Sequence, residues 1–213
     1  MRRLFYILLL SMVLCPSTGL GRTVADLFAT EPGNLFPLLT RTNRLDMVDY
    51  YVNGQMVAVT NNLAGESRLL ELDSAYLKVQ TSGSRVVEML MRTVGKDTVV
   101  TVIETVTTPV PDSRLTQWNS HWQRYTSDKL FKVPTIDDFM VKKMPGELRI
   151  DLQNAMIFPL IQLAFKGDNH DIIEATHGLD RFLVSSEYKR FEPDFKPTIS
   201  YQFNGLKIKP VKK

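Results

Sequence analysis

The chain has 213 residues, 44% of them hydrophobic, one cysteine and a formal net charge of +3. Arg2 and Arg3 supply two of those charges from a leader without acids, so the body beyond residue 21 carries only +1. It shows no clustered Lys/Arg face, which speaks against a nucleic-acid partner.

Residues 1–21 have the plan of a secretory signal peptide: Arg2-Arg3, an apolar run from Leu4 to Leu14, then a small-residue zone ending in Gly19-Leu20-Gly21. The run is shorter than the ~20 residues a membrane-spanning helix needs. Cleavage is expected near Gly19 or Gly21. Lipidation at Cys15 is the weaker alternative, because Leu14 precedes it and Pro16 follows. Either cut after a glycine leaves 192 or 194 residues without a thiol, and so without disulfides or cysteine-based zinc sites. Export places the protein in the periplasm, at the outer membrane or outside the cell, and no further segment reads as transmembrane.

Val24, Leu27 and Phe28 form a short amphipathic turn. Asn43 is a plausible N-cap with Asp46 three residues on, and Leu45, Val48, Tyr51 and Val52 then share a helical face that Gly54 closes. The Asp46/Asp49 pair lies beside Arg41 and Arg44, the pattern of a solvated ion-pair face. From Gln55 the period changes to two. Strands are expected at Met56 to Thr60, Arg68 to Leu72, Tyr76 to Thr81, Arg85 to Met91 and Thr98 to Thr107. The turns between them are too short for parallel crossovers, so the strands are antiparallel. The β-branched run Val99 to Ile103 suits a central strand.

Pro109 and Pro111 mark the best place to divide the body into residues 22–108 and 109–213. Beyond them, strands are expected at Leu115 to Trp118, Leu148 to Leu152, Leu160 to Phe165 and Ile172 to Ala175. Helices are expected near Ile136 to Met140 and within Leu179 to Arg190. Thr198 to Phe203, Asn204-Gly205 and Leu206 to Ile208 carry a strong hairpin signal. The fold class is therefore α+β: short N-terminal helices packed on antiparallel sheet, as one body or as two similar lobes.

Several of these segments together (Leu35 to Thr40, Asn43 to Tyr51, Val59-Thr60-Asn61, Gly65, Leu77-Lys78, and Asp112-Ser113-Arg114 leading to Trp122) resemble a known family. It is the Bacteroidetes-restricted exported proteins of domain-of-unknown-function family 3256. The resemblance covers residues 24 to 125 and, more loosely, the remainder through the terminal hairpin. It implies export in a Gram-negative cell. The family brings no known activity, so no site residue is carried over from it.

Trp118 and Trp122, four apart with Tyr125 nearby, would share a face if extended, as a sugar- or peptide-binding platform requires. Core anchoring is the simpler role for two tryptophans. His170, Asp171 and His177 form the one cluster with metal-ligand character. In an extended strand, however, His170 and His177 point to opposite faces, which favours a plain polar turn. Asp112, Ser113 and His121 hold the residue types of a hydrolytic triad without a nucleophile elbow. No phosphate loop or dinucleotide fingerprint occurs, and no cofactor is expected. The sequence thus points first to a non-enzymatic binding or assembly module for an envelope protein, peptide or glycan. A periplasmic hydrolase, with or without metal assistance, is the alternative.

Overall fold

Threonines start both N-terminal helices of the computed structural model, which describes residues 22–55, 57–141, 145–155 and 160–211. The leader with Cys15, and Met56, lie outside the described residues. In α1 (Val24–Thr30) the Thr23 hydroxyl accepts from Asp26 N–H, and the Asp26 carboxylate accepts from Thr23 N–H. In α2 (Arg41–Val52) Thr40 and Asn43 make the same reciprocal pair, at 3.1 and 3.0 Å. The cap is therefore Thr40, three residues before the expected Asn43, which sits instead at the third helical position and completes the capping box. Gly54 closes the helix as expected, its N–H donating to Tyr51 O.

Six antiparallel strands follow in simple meander order: β1 (Val59–Thr60), β2 (Glu66–Leu72), β3 (Tyr76–Ser82), β4 (Arg85–Val94), β5 (Asp97–Val106) and β6 (Asp112–Asn119). β5 lies between β4 and β6, and Val99 to Ile103 are fully buried, as a central strand requires. Pro109 and Pro111 lie in the β5–β6 connection. β6 pairs with β5 from Val106↔Asp112 to Val99↔Asn119, so Leu115 to Trp118 belongs to this first sheet.

After α3 (Ile136–Phe139), residues Gly146–Ala155 form helix α4, not the strand expected at Leu148 to Leu152. Leu148 and Leu152 stand one helical turn apart and pack on the core, while Ile150 between them is 57% exposed. The second sheet holds β7 (Ile161–Lys166), β8 (Ile172–His177), β9 (Thr198–Asn204) and β10 (Lys207–Pro210) in the order β10-β9-β8-β7. Helices α5 (Leu179–Phe182) and α6 (Ser185–Phe191) precede β9. Gly205, at φ +60, makes the expected β9–β10 turn.

The first sheet is buried on both faces. One face, with Leu77, Met89 and Val102, packs under α1, α2 and the Leu35–Leu39 segment. The other, with Tyr76, Leu90 and Ile103, packs on the second sheet and on Phe139, Leu152 and Phe191. The two sheets meet along β6 and β7. There Asp112 Oδ1 accepts from Ile161 N–H (3.2 Å) and Ser113 Oγ accepts from Leu163 N–H (2.9 Å). These side chains supply acceptors that the β7 edge lacks within its own sheet.

Candidate functional site

The chain reverses at the end of β6 because Asn119 accepts locally. Its Oδ1 takes N–H donors from His121 (2.9 Å) and Gln123 (3.0 Å), and its own N–H donates to Gln123 O. Such an Asx turn replaces backbone partners at a strand end. The returning chain lies along β6: Trp118 bridges to Arg124, and Tyr125 N–H donates to Gln117 O at 2.9 Å.

This reversal parts the aromatic trio. Trp118 and Trp122 stay together, ring centroids 6.1 Å apart at 62°, and both pack against the core beneath the N-terminal helices. Trp118 Nε1 donates to Thr116 Oγ1 at 2.9 Å. Tyr125 lines a separate cavity of about 150 Å³, formed with Leu115, Gln117, Arg124, Asp128 and Phe131, to which neither tryptophan contributes. Gln117 is 3% exposed. Its Nε2 donates to Thr101 Oγ1 at 3.4 Å, while its Oε1 is buried and accepts from no donor among the described residues. A buried amide oxygen left unsatisfied costs about 1–3 kcal/mol, so Gln117 is the lining residue whose hydrogen bonding the described residues leave incomplete. Gln117 carries no distinguishing signal in the sequence. On a strand it looks like any polar residue, and only the returning segment encloses it.

The histidines are placed far from one another. His170 stacks on the buried Tyr76 ring at 3.6 Å, with Nε2 3.5 Å from Asp73 and 3.7 Å from Glu71 on the first sheet. Asp171 Oδ1 sits 2.7 Å from where a Cβ on Gly167 would stand, and Gly167 itself has φ +85. His177 lies at the other end of β8, buried between the Phe139 and Phe195 rings, and its Nδ1 accepts from Leu179 N–H at 3.4 Å. Burial holds its pKa below the ordinary imidazole value. A strand the length of β8 separates the two rings by roughly 20 Å, so the structure does not bring His170 and His177 together. Among the described residues no group of three His, Cys, Asp or Glu side chains is arranged to hold a metal ion. Ser113 is engaged with Leu163 N–H and Thr105 Oγ1. His121 is exposed beside Ser120 in the Asn119 turn.

Arg44 departs from the solvated face read from sequence. It is 3% exposed and pairs at 3.3 Å with Glu31, itself buried, and also donates to Glu31 O at 2.6 Å. Glu31 in turn accepts from Gly33 and Leu35 N–H, fixing the loop between α1 and α2. This pair is scaffold for the N-terminal layer.

Residues 20–208 match the family described as "Protein of unknown function (DUF3256)", and the chain belongs to it. No curated protein matches the chain. A similar solved structure is that of a domain of an uncharacterized protein from Porphyromonas gingivalis W83. It is 18% identical over 89% of this chain and 98% of that one, with a TM-score of 0.78. At that identity the likeness establishes the α+β fold alone.

Proposed function

We propose that this is an exported cell-envelope protein that acts as a non-enzymatic binding module, taking a group of a protein, peptide or glycan into the cavity beside Tyr125. The observation that carries the reading is Gln117, which lines that cavity and whose buried Oε1 accepts from no donor among the described residues. A ligand bringing an N–H or O–H group satisfies it. A volume of about 150 Å³ suits one ring-sized group, since a cavity of roughly that size holds benzene. The occupant is therefore one side chain or one sugar unit of a larger partner, with Tyr125 and Phe131 offering apolar surface and Arg124 and Asp128 polar contacts at the wall. Export is supported by the leader, whose end coincides with the start of the family match at residue 20.

The test is a screen of the mature protein on glycan and short-peptide arrays, followed by titration of any hit against Gln117→Leu. Binding is expected to fall at least about tenfold in the variant, while the ligand-free variant melts at the same or a higher temperature. No hit, or a hit indifferent to Gln117, contradicts the reading. Export is checked by the N-terminus of protein taken from the envelope fraction: a start at Leu20 or Arg22 agrees, and an intact Met1 contradicts.

A further inference from the structure

The cavity beside Tyr125 runs along the edge of a strand and not over one face of the sheet. Leu115, Thr116 and Gln117 line it together, and consecutive strand residues point to opposite faces. What the three share is the outer edge of β6, the side turned away from β5.

The hydrogen bonds of the Asn119 turn fix which backbone groups point out of that edge. Asn119 N–H donates to Gln123 O and Gln117 O accepts from Tyr125 N–H, both on the side away from β5. Backbone groups of an antiparallel strand alternate in direction, so the N–H and C=O of Leu115 point outward as well. Arg114, Thr116 and Trp118 turn theirs the other way, to Glu104, Val102 and Val100 of β5. Among the described residues no backbone group meets Leu115 on its outer side.

The gap is bounded at both ends. The Tyr125–Gln117 bond closes one, and at the other Ser113 Oγ accepts from Leu163 N–H of β7 at 2.9 Å. The stretch of strand from Ser113 to Gln117 is roughly 13 Å long. The returning chain does not pair with it, because past Tyr125 it is held elsewhere: Leu130 O accepts from Ile208 N–H of β10 at 2.7 Å. An edge with unpaired N–H and C=O groups is a template for another strand.

We propose that the Tyr125 cavity recognises its partner as an extended peptide, about three residues of which add to the β6 edge, the middle one exchanging both backbone bonds with Leu115. This rests on the reading of that cavity as the binding site, and it narrows the occupant to a peptide main chain. The paired donor and acceptor of Leu115 match the C=O and N–H of one peptide residue, which favours a main chain over a sugar. Strand addition draws affinity from such bonds and selectivity from pockets for alternate side chains. The residue opposite Leu115 shares the face of Leu115 and Gln117, so its side chain is the group that the cavity takes.

The probes are acetylated, amidated tripeptides Val-X-Val, with X varied over the standard residues. Each is titrated into the mature protein through the millimolar range while the amide NMR signals of Leu115 and Gln117 are followed. Saturable shifts at Leu115 are expected with ring-bearing X, together with slower exchange of the Leu115 N–H. N-methylation of X removes the N–H that Leu115 O accepts and is expected to weaken binding at least about tenfold. The same change at the valine after X, whose N–H points away from β6, is expected to alter it less than about twofold. Affinity that survives N-methylation of X overturns the strand pairing. Tripeptides that fail where a glycan binds in a Gln117-dependent manner overturn this proposal and leave the cavity reading standing. Failure of tripeptides and glycans alike overturns both.

Discussion

Individual residues here are stabilised by their neighbours in ways that pH and substitution expose. His177 is buried between two phenyl rings, and burial holds its folded pKa below the ordinary 6.5. The unfolded chain therefore binds this proton more readily, and stability must fall as pH drops from about 6.5 toward the folded pKa. We expect His177→Gln to flatten that portion of the stability–pH curve, measured by urea unfolding at several pH values. An unchanged slope contradicts the assignment. Glu31 and Arg44 give a second case. Removing one partner leaves a buried charge alone, at a cost of about 3–5 kcal/mol, so Glu31→Ala is expected to be severe. The double variant Glu31→Ala/Arg44→Met should recover a substantial part of the loss. Additive losses in chemical denaturation would show that the pair is not coupled.

At the scale of elements, α4 separates two periodicities that the residues 148–152 serve equally well. Leu148, Ile150 and Leu152 alternate as a strand would, but Leu148 and Leu152 also lie four apart, and only these two meet the core. Leu152→Ala is expected to cost about 2–5 kcal/mol and Ile150→Lys less than about 0.5 kcal/mol, both by denaturant unfolding; equal losses would argue for a strand. Where a single period dominates, sequence and structure agree: β2 to β5 and the Asn204-Gly205 hairpin are found within a few residues of their expected bounds, because alternation and turn chemistry point the same way. The start of α2 shifted by three residues because Thr40 and Asn43 are both good caps, and the reciprocal pair decides between them. The buried face of α2 is centred on Arg44 and Met47 instead of Leu45 and Val52, since the Glu31 carboxylate draws an arginine inward.

The whole molecule is three layers: helices, a six-stranded sheet buried on both faces, and a second layer of four strands with helices. Long-range contacts lock the layers, with Asp112 and Ser113 reaching β7, Arg92 reaching Phe203, and His170 reaching Glu71 and Asp73. Polar residues that resemble catalytic or metal-binding sets in the sequence are largely engaged in this locking. That is why site chemistry was harder to read than fold: Ser113, His170 and His177 carry reactive side chains, but Leu163, Asp73 with Glu71, and the Phe139 and Phe195 rings, which engage them, lie far along the chain. Tyr125 was legible as an aromatic candidate near Trp118 and Trp122, whereas its partner Gln117 became visible only once the chain folded back at Asn119. The central claim is that this cavity receives a partner in the cell envelope. It is tested most directly by placing a benzophenone amino acid at Val133, a half-exposed residue on the cavity wall, and irradiating intact cells. The account predicts one reproducible crosslinked product that disappears when Gln117→Leu is added. No product, or a product that persists in the Gln117→Leu background, would contradict it.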